Sequence, residues 1–152
     1  MSREEAILAL KGLLEAGGNR FLTIRGTSMA PFLATGDRVE VEAVPPALLR
    51  LGDLIAFLQD GKVIVHRYAG RVNRAGIPYL RQKGDGLRGF GLVPAADLLG
   101  RVVRVATPSG ERGLMVGWGR WDNRIRGLSA WGFCSLRGAL HILRGPFRRQ
   151  AP

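Results

Sequence analysis

Apolar residues near the start of the chain recur at helical spacing. Ala6, Ile7, Leu10, Leu13 and Leu14 share one side of a helix predicted over residues 3–16. Ser2 supplies an N-cap with Glu5 three positions on, as in a capping box, and Gly17 and Gly18 stop the helix. From residue 21 the period shortens to two. Over 38–43 Val39 and Val41 point inward while Arg38, Glu40 and Glu42 point outward, and Pro45 and Pro46 end the strand. Residues 21–24, 54–58, 62–68 and 98–106 read as further strands, with Asp60 and Gly61 as a hairpin turn between two of them. A second hairpin is predicted through 71–72, a turn at 73–76 and a return at 79–82. Short strands with frequent turns predict a mainly β, mostly antiparallel domain behind a short N-terminal helix.

The length of 152 residues allows one domain and a small appendage. The expected division is an N-terminal helix over 1–18, a β domain over 19–107 and a basic C-terminal segment over 108–152. The chain carries 22 glycines, which suits turns better than long helices. Its lone cysteine, Cys134, excludes a disulfide scaffold and a cysteine-built zinc site. With only His66 and His141, no histidine-rich metal site is available, and no metal or organic cofactor is expected. A membrane-spanning helix needs about 20 apolar residues, and the longest uncharged runs, 26–36 and 127–136, fall short. Arg3, Glu4, Glu5 and Lys11 exclude a secretory signal at this N-terminus, so a cytoplasmic protein is expected.

Charge changes the picture at one end. The chain is formally +11, and residues 108–152 hold eight basic and two acidic side chains with Trp118, Trp121 and Trp131. Residues 120–126 and 136–143 read as short amphipathic helices interrupted by glycine. Interleaved cations and tryptophans suit an anionic surface, a membrane face more than nucleic acid; the plain alternative is a solvated tail packed on the domain.

The stretch with most chemical content is 25–37, RGTSMAPFLATGD. Ser28 follows Gly26, which allows close backbone approach, and precedes Pro31, which stiffens the exit. Such a serine can lie exposed on a turn with backbone N–H groups beside it as an oxyanion site. Taken alone it reads as an ordinary turn serine, and His66 alone as a half-buried strand histidine. The glycine-rich 84–91 (GDGLRGFG) lacks the following helix of a phosphate-binding loop.

Five ordered stretches change that weighing. GTSMAPFLATGD over 26–37 resembles the nucleophile box of type I signal peptidases and of the related self-cleaving SOS-repressor peptidases. LGDLIAF over 51–57 resembles their second box, VIVHR over 63–67 the base box, YLRQKGD over 79–85 the Lys-Gly-Asp box, and DLLGRV over 97–102 the closing turn and strand. The resemblance covers 21–106 and implies a coiled antiparallel β-sheet serine peptidase domain. It implies Ser28 as nucleophile and His66 as general base, as in the endoplasmic-reticulum and archaeal Ser–His type, with Asp85 as third member. It assigns Gly26, Thr27, Met29 and Pro31 to the oxyanion and substrate-binding side. The implied partner is a precursor peptide or a protein substrate.

The chain departs from that pattern in three places. Gly26 stands where many signal peptidases have a serine that aids the oxyanion hole, so the oxyanion would rest on backbone N–H groups, chiefly that of Ser28. The histidine-type enzymes use an aspartate beyond the Lys-Gly-Asp box, and 86–91 holds no acid. Asp85 either orients His66 in its place or holds a turn, leaving a Ser–His dyad. No spanning anchor is predicted. Lys83 is a weaker alternative base, because lysine must be desolvated to act. Asp37 and Asp53 follow glycines and read as turn caps. Two rival readings remain: a weak or inactive relative that binds peptides, and a membrane-surface or nucleic-acid binder acting through the basic tail.

Overall fold

The computed structural model describes residues 3–114. Readings made of 115–152, the tail helices and the membrane contact, lie outside the described residues, as does the Ser2 cap. The chain is mainly β. Helix α1 (Arg3–Glu15) precedes strands β1 (Arg20–Thr23), β2 (Arg38–Glu42), β3 (Leu54–Gln59), β4 (Lys62–Arg74), β5 (Ile77–Lys83), β6 (Gly91–Pro94), β7 (Leu98–Thr107) and β8 (Gly110–Gly113). They form one antiparallel sheet in the order β1-β2-β7-β3-β4-β5-β6, curled into a half-barrel, with β8 on β7. No helix among the described residues is long and apolar enough to cross a membrane.

Local chemistry sets the turns. Asp60 and Gly61 both have positive φ (49° and 63°), so the β3–β4 hairpin closes in two residues with the strand twist preserved. Ala75 and Gly76 (49° and 81°) do the same between β4 and β5, which meet at Arg74 and Ile77. The second hairpin therefore does not start a new strand: β4 runs unbroken from Lys62 to Arg74, with a bulge between Tyr68 and Gly70.

Burial explains why β3 shows no alternation. Leu54 and Ala56 join one apolar cluster with Leu14, Met29, Leu33, Val39, Val41 and Val105. Ile55 and Phe57 join a second with Leu49, Tyr68, Leu80 and Val93. A strand covered on both faces reads as a continuous apolar run. Helix α1 contributes Leu14 to the first cluster and leaves Leu8 and Leu13 exposed.

The sheet runs on past residue 107. Pro108 sits in a hairpin turn, where Thr107 Oγ1 donates to the Gly110 carbonyl at 3.0 Å. The chain returns as β8 against Arg104–Thr107, and Leu114 is buried in the core. Strand β6 also lies outside the predicted set. Its four residues, GLVP, are too few to show a period, and they gain strand geometry by pairing with β5.

Candidate active site

Ser28 sits on the loop between β1 and β2. The loop base is closed by Ile24 N–H donating to the Asp37 carbonyl (2.8 Å) and Gly36 N–H to the Ile24 carbonyl (2.9 Å). Asp37 then caps the interior, its Oδ2 accepting from Ala34 N–H at 2.8 Å. Met29, Phe32 and Leu33 drive into the core as anchors, at 2%, 7% and 0% exposure. Ser28 immediately precedes the first anchor, which fixes its position without burying its hydroxyl.

The loop after β5 braces the nucleophile from behind. Gly86 N–H donates to the Ser28 carbonyl at 2.9 Å, and Asp85 N–H reaches Met29 Sδ at 3.4 Å. A Cβ at Gly84 would lie 2.5 Å from the Ser28 carbonyl oxygen, so glycine is required there for the two backbones to approach. The Lys-Gly-Asp segment thus acts on Ser28 through main chain.

His66 enters from β4, paired with Ile55 on β3. Its Nε2 is 2.9 Å from Ser28 Oγ. The ring is buried, with Phe57 edge-on at 5.9 Å between centroids. Burial pushes the imidazole pKa below its ordinary 6.5, against smaller upward effects of a hydrogen bond with Gln82 and the charge of Asp85. A neutral imidazole is the form that can accept a proton from serine.

The partner of His66 Nδ1 is Gln82 Oε1. Asp85 is placed elsewhere. Its carboxylate takes two bonds from Arg67, Nε to Oδ1 at 2.9 Å and Nη2 to Oδ2 at 2.7 Å. Arg67 is 2% exposed, also donates Nη1 to the Gly52 carbonyl at 2.9 Å, and lies over the Phe32 ring. A guanidinium held that far from water requires a carboxylate, and Asp85 supplies it. Of the two roles left open for Asp85, hydrogen bonding places it in the scaffold. Lys83 follows Gln82 on β5 and so points to the opposite face, leaving His66 as the base within reach of Ser28.

A groove of about 460 Å³ has Ser28 in its lining. Residues 22–26 form one wall and 61–65 the other. Both walls present open strand edges among the described residues: β1 ends the sheet, and β4 pairs with β5 only from Arg67 onward. Gly26 and Met29 line this groove with Ser28, whereas Thr27 and Pro31 are exposed outside it. A Cβ on Gly26 would meet nothing within 4 Å, so the close approach expected there is not demanded by the protein itself. Among the described residues the Ser28 backbone N–H has no acceptor and is free to serve an oxyanion. No group of three or more His, Cys, Asp or Glu side chains among them stands close enough to hold a metal ion.

Sequence reasoning passed over Gln82 and Arg67. The signal for Gln82 was parity: it follows Leu80 by two on β5 and shares its buried face, and a buried amide needs a partner. Arg67 carried no such signal, because an arginine beside a catalytic-type histidine reads as exposed by default. Comparison of the chain with known protein families gives no match, and comparison with curated proteins gives none either.

Proposed function

We propose that the protein is a serine endopeptidase of the signal-peptidase type, acting on a precursor peptide or a partner protein. The observation that carries this reading is the 2.9 Å contact between the Nε2 of a buried His66 and the Oγ of Ser28, a residue that lines the groove. An extended peptide suits that groove, because two open strand edges offer main-chain hydrogen bonds on both sides. In the reaction, Ser28 Oγ attacks the scissile carbonyl carbon as His66 Nε2 takes the hydroxyl proton. The carbonyl oxygen becomes an oxyanion beside the Ser28 N–H. Collapse breaks the C–N bond, and the amine leaves with the proton from His66. Water, deprotonated by the same imidazole, then releases the acyl group from Ser28.

The test is acylation by a penem-type serine-directed probe, read by intact mass on the wild type, Ser28→Ala and His66→Ala chains. A single adduct on the wild type, absent from both variants, supports the reading. An adduct that persists in Ser28→Ala, or an unlabelled wild type that also fails to cleave a library of peptides, overturns it.

A further inference from the structure

We infer that Gln82 is the positioning residue of this site, its Oε1 accepting Nδ1–H of His66 so that the Nε2 lone pair faces Ser28. The inference rests on the peptidase reading for its purpose, though not for its geometry. Free imidazole favours the opposite tautomer, with the proton on Nε2. In that form Nε2 would donate to Ser28 Oγ and could not accept its proton. Something must therefore hold the proton on Nδ1, and the amide oxygen of Gln82 is the group in contact with that nitrogen.

The placement of Gln82 is built into the sheet. It lies between Tyr68 of β4 and Gly91 of β6 in register, at 5% exposure. A Cβ at Gly91 would collide with the Gln82 amide nitrogen, so this glycine makes room for the side chain. Gly91 belongs to the glycine-rich stretch whose purpose the phosphate-loop comparison left open.

An amide orients the ring without adding negative charge, and this separates the site from a triad with a carboxylate. The charged groups around His66 are few. Asp85, from the loop after β5, acts on it through space while neutralised by Arg67 of β4. On β5, Arg81 and Lys83 flank Gln82 and point to the opposite face. Strand β3 carries no charged residue within Leu54–Gln59. Arg25 and Lys62 line the groove side. Burial outweighs the upward effects of the Gln82 bond and the Asp85 charge, so the base form persists below pH 6.5.

The test uses the full chain with ¹⁵N-labelled histidine and His141→Gln, so that one imidazole reports. The tautomer and titration of His66 are read by NMR, beside probe-labelling rates from pH 4.5 to 9. The wild type is expected in the Nδ1–H tautomer, with the acid limb of labelling below 6.5. Gln82→Glu should keep the tautomer and raise the imidazole proton affinity about tenfold or more, moving the acid limb upward with it. Gln82→Met should release the Nε2–H tautomer and slow labelling roughly 10²–10⁴-fold, the usual worth of a general base. A wild type in the Nε2–H tautomer overturns the inference. So does a folded Gln82→Glu chain with unchanged titration and limb. An Nδ1–H wild type whose titration responds to Gln82→Glu, yet which the probe never labels and which cleaves no peptide of the library, upholds the positioning and refutes the peptidase reading instead.

Discussion

Asp85→Asn separates scaffold from catalysis at the residue the family resemblance marks as a third member. The substitution keeps shape and removes the charge that faces Arg67. Arg67 is 2% exposed and holds Asp85 through bonds of 2.9 and 2.7 Å, so its guanidinium would stay buried with the Asp85 charge removed. Breaking a buried pair from one side costs about 3–5 kcal/mol. The Asp85 side chain is 14% exposed, so water reaches part of it and the lower end, about 3 kcal/mol, is expected. For a domain near 110 residues that lowers Tm by roughly 13 °C. Urea and thermal unfolding followed by circular dichroism measure the loss. Probe labelling of Ser28, run well below the new midpoint, should slow about tenfold or less, because the Gln82 contact is untouched. Loss of an orienting aspartate in a serine-protease triad costs about 10⁴-fold. A stability change under 1 kcal/mol with a labelling loss of that size would refute the argument. A companion chain with Arg67→Met and Asp85→Leu should regain part of the stability, since no uncompensated charge stays buried.

Three further outcomes follow from the same geometry. Because burial depresses the His66 pKa, the unfolded chain binds more protons than the folded one below 6.5. This contribution to stability is complete above 6.5 and is lost as pH falls through the lower folded value; urea midpoints from pH 8 to 5 should fall less steeply for His66→Gln, and parallel curves would contradict it. Gly84→Ala drives a Cβ to 2.5 Å from the Ser28 carbonyl oxygen, which should cost about 1–3 kcal/mol and slow labelling. Gly26→Ala meets nothing within 4 Å, and its stability should stay within about 0.5 kcal/mol of wild type by the same unfolding measurement.

Much of the fold was legible in short windows of residues. The alternation of 38–42 placed Val39 and Val41 inside, at 0% exposure each. Asp37 and Asp53 proved to be turn caps, the second accepting from Arg50 N–H at 2.9 Å. Where windows were too short or misleading, the reading failed. β6 offers four residues without a period, and Pro108, where the basic segment was expected to begin, lies in a turn of the sheet. Leu13, on the predicted apolar side of α1, is 48% exposed because Leu14 makes the core contact.

Strand period and the positive-φ turn at Asp60 and Gly61 are properties of neighbouring residues, so sequence alone determines them, whereas the anchoring of Met29, Phe32 and Leu33 in the core came only with packing. The meeting of Ser28 with His66 spans 38 residues, and the partners of His66 and Arg67 come from β5 and the loop beyond it. Here two acceptors three residues apart, Gln82 and Asp85, faced two buried donors that are neighbours on β4. Only the packed sheet assigned them. Strand parity and the Gly91 recess aim Gln82 at the imidazole, while the buried guanidinium takes the carboxylate, since a full charge removed from water needs its opposite more than a neutral ring does.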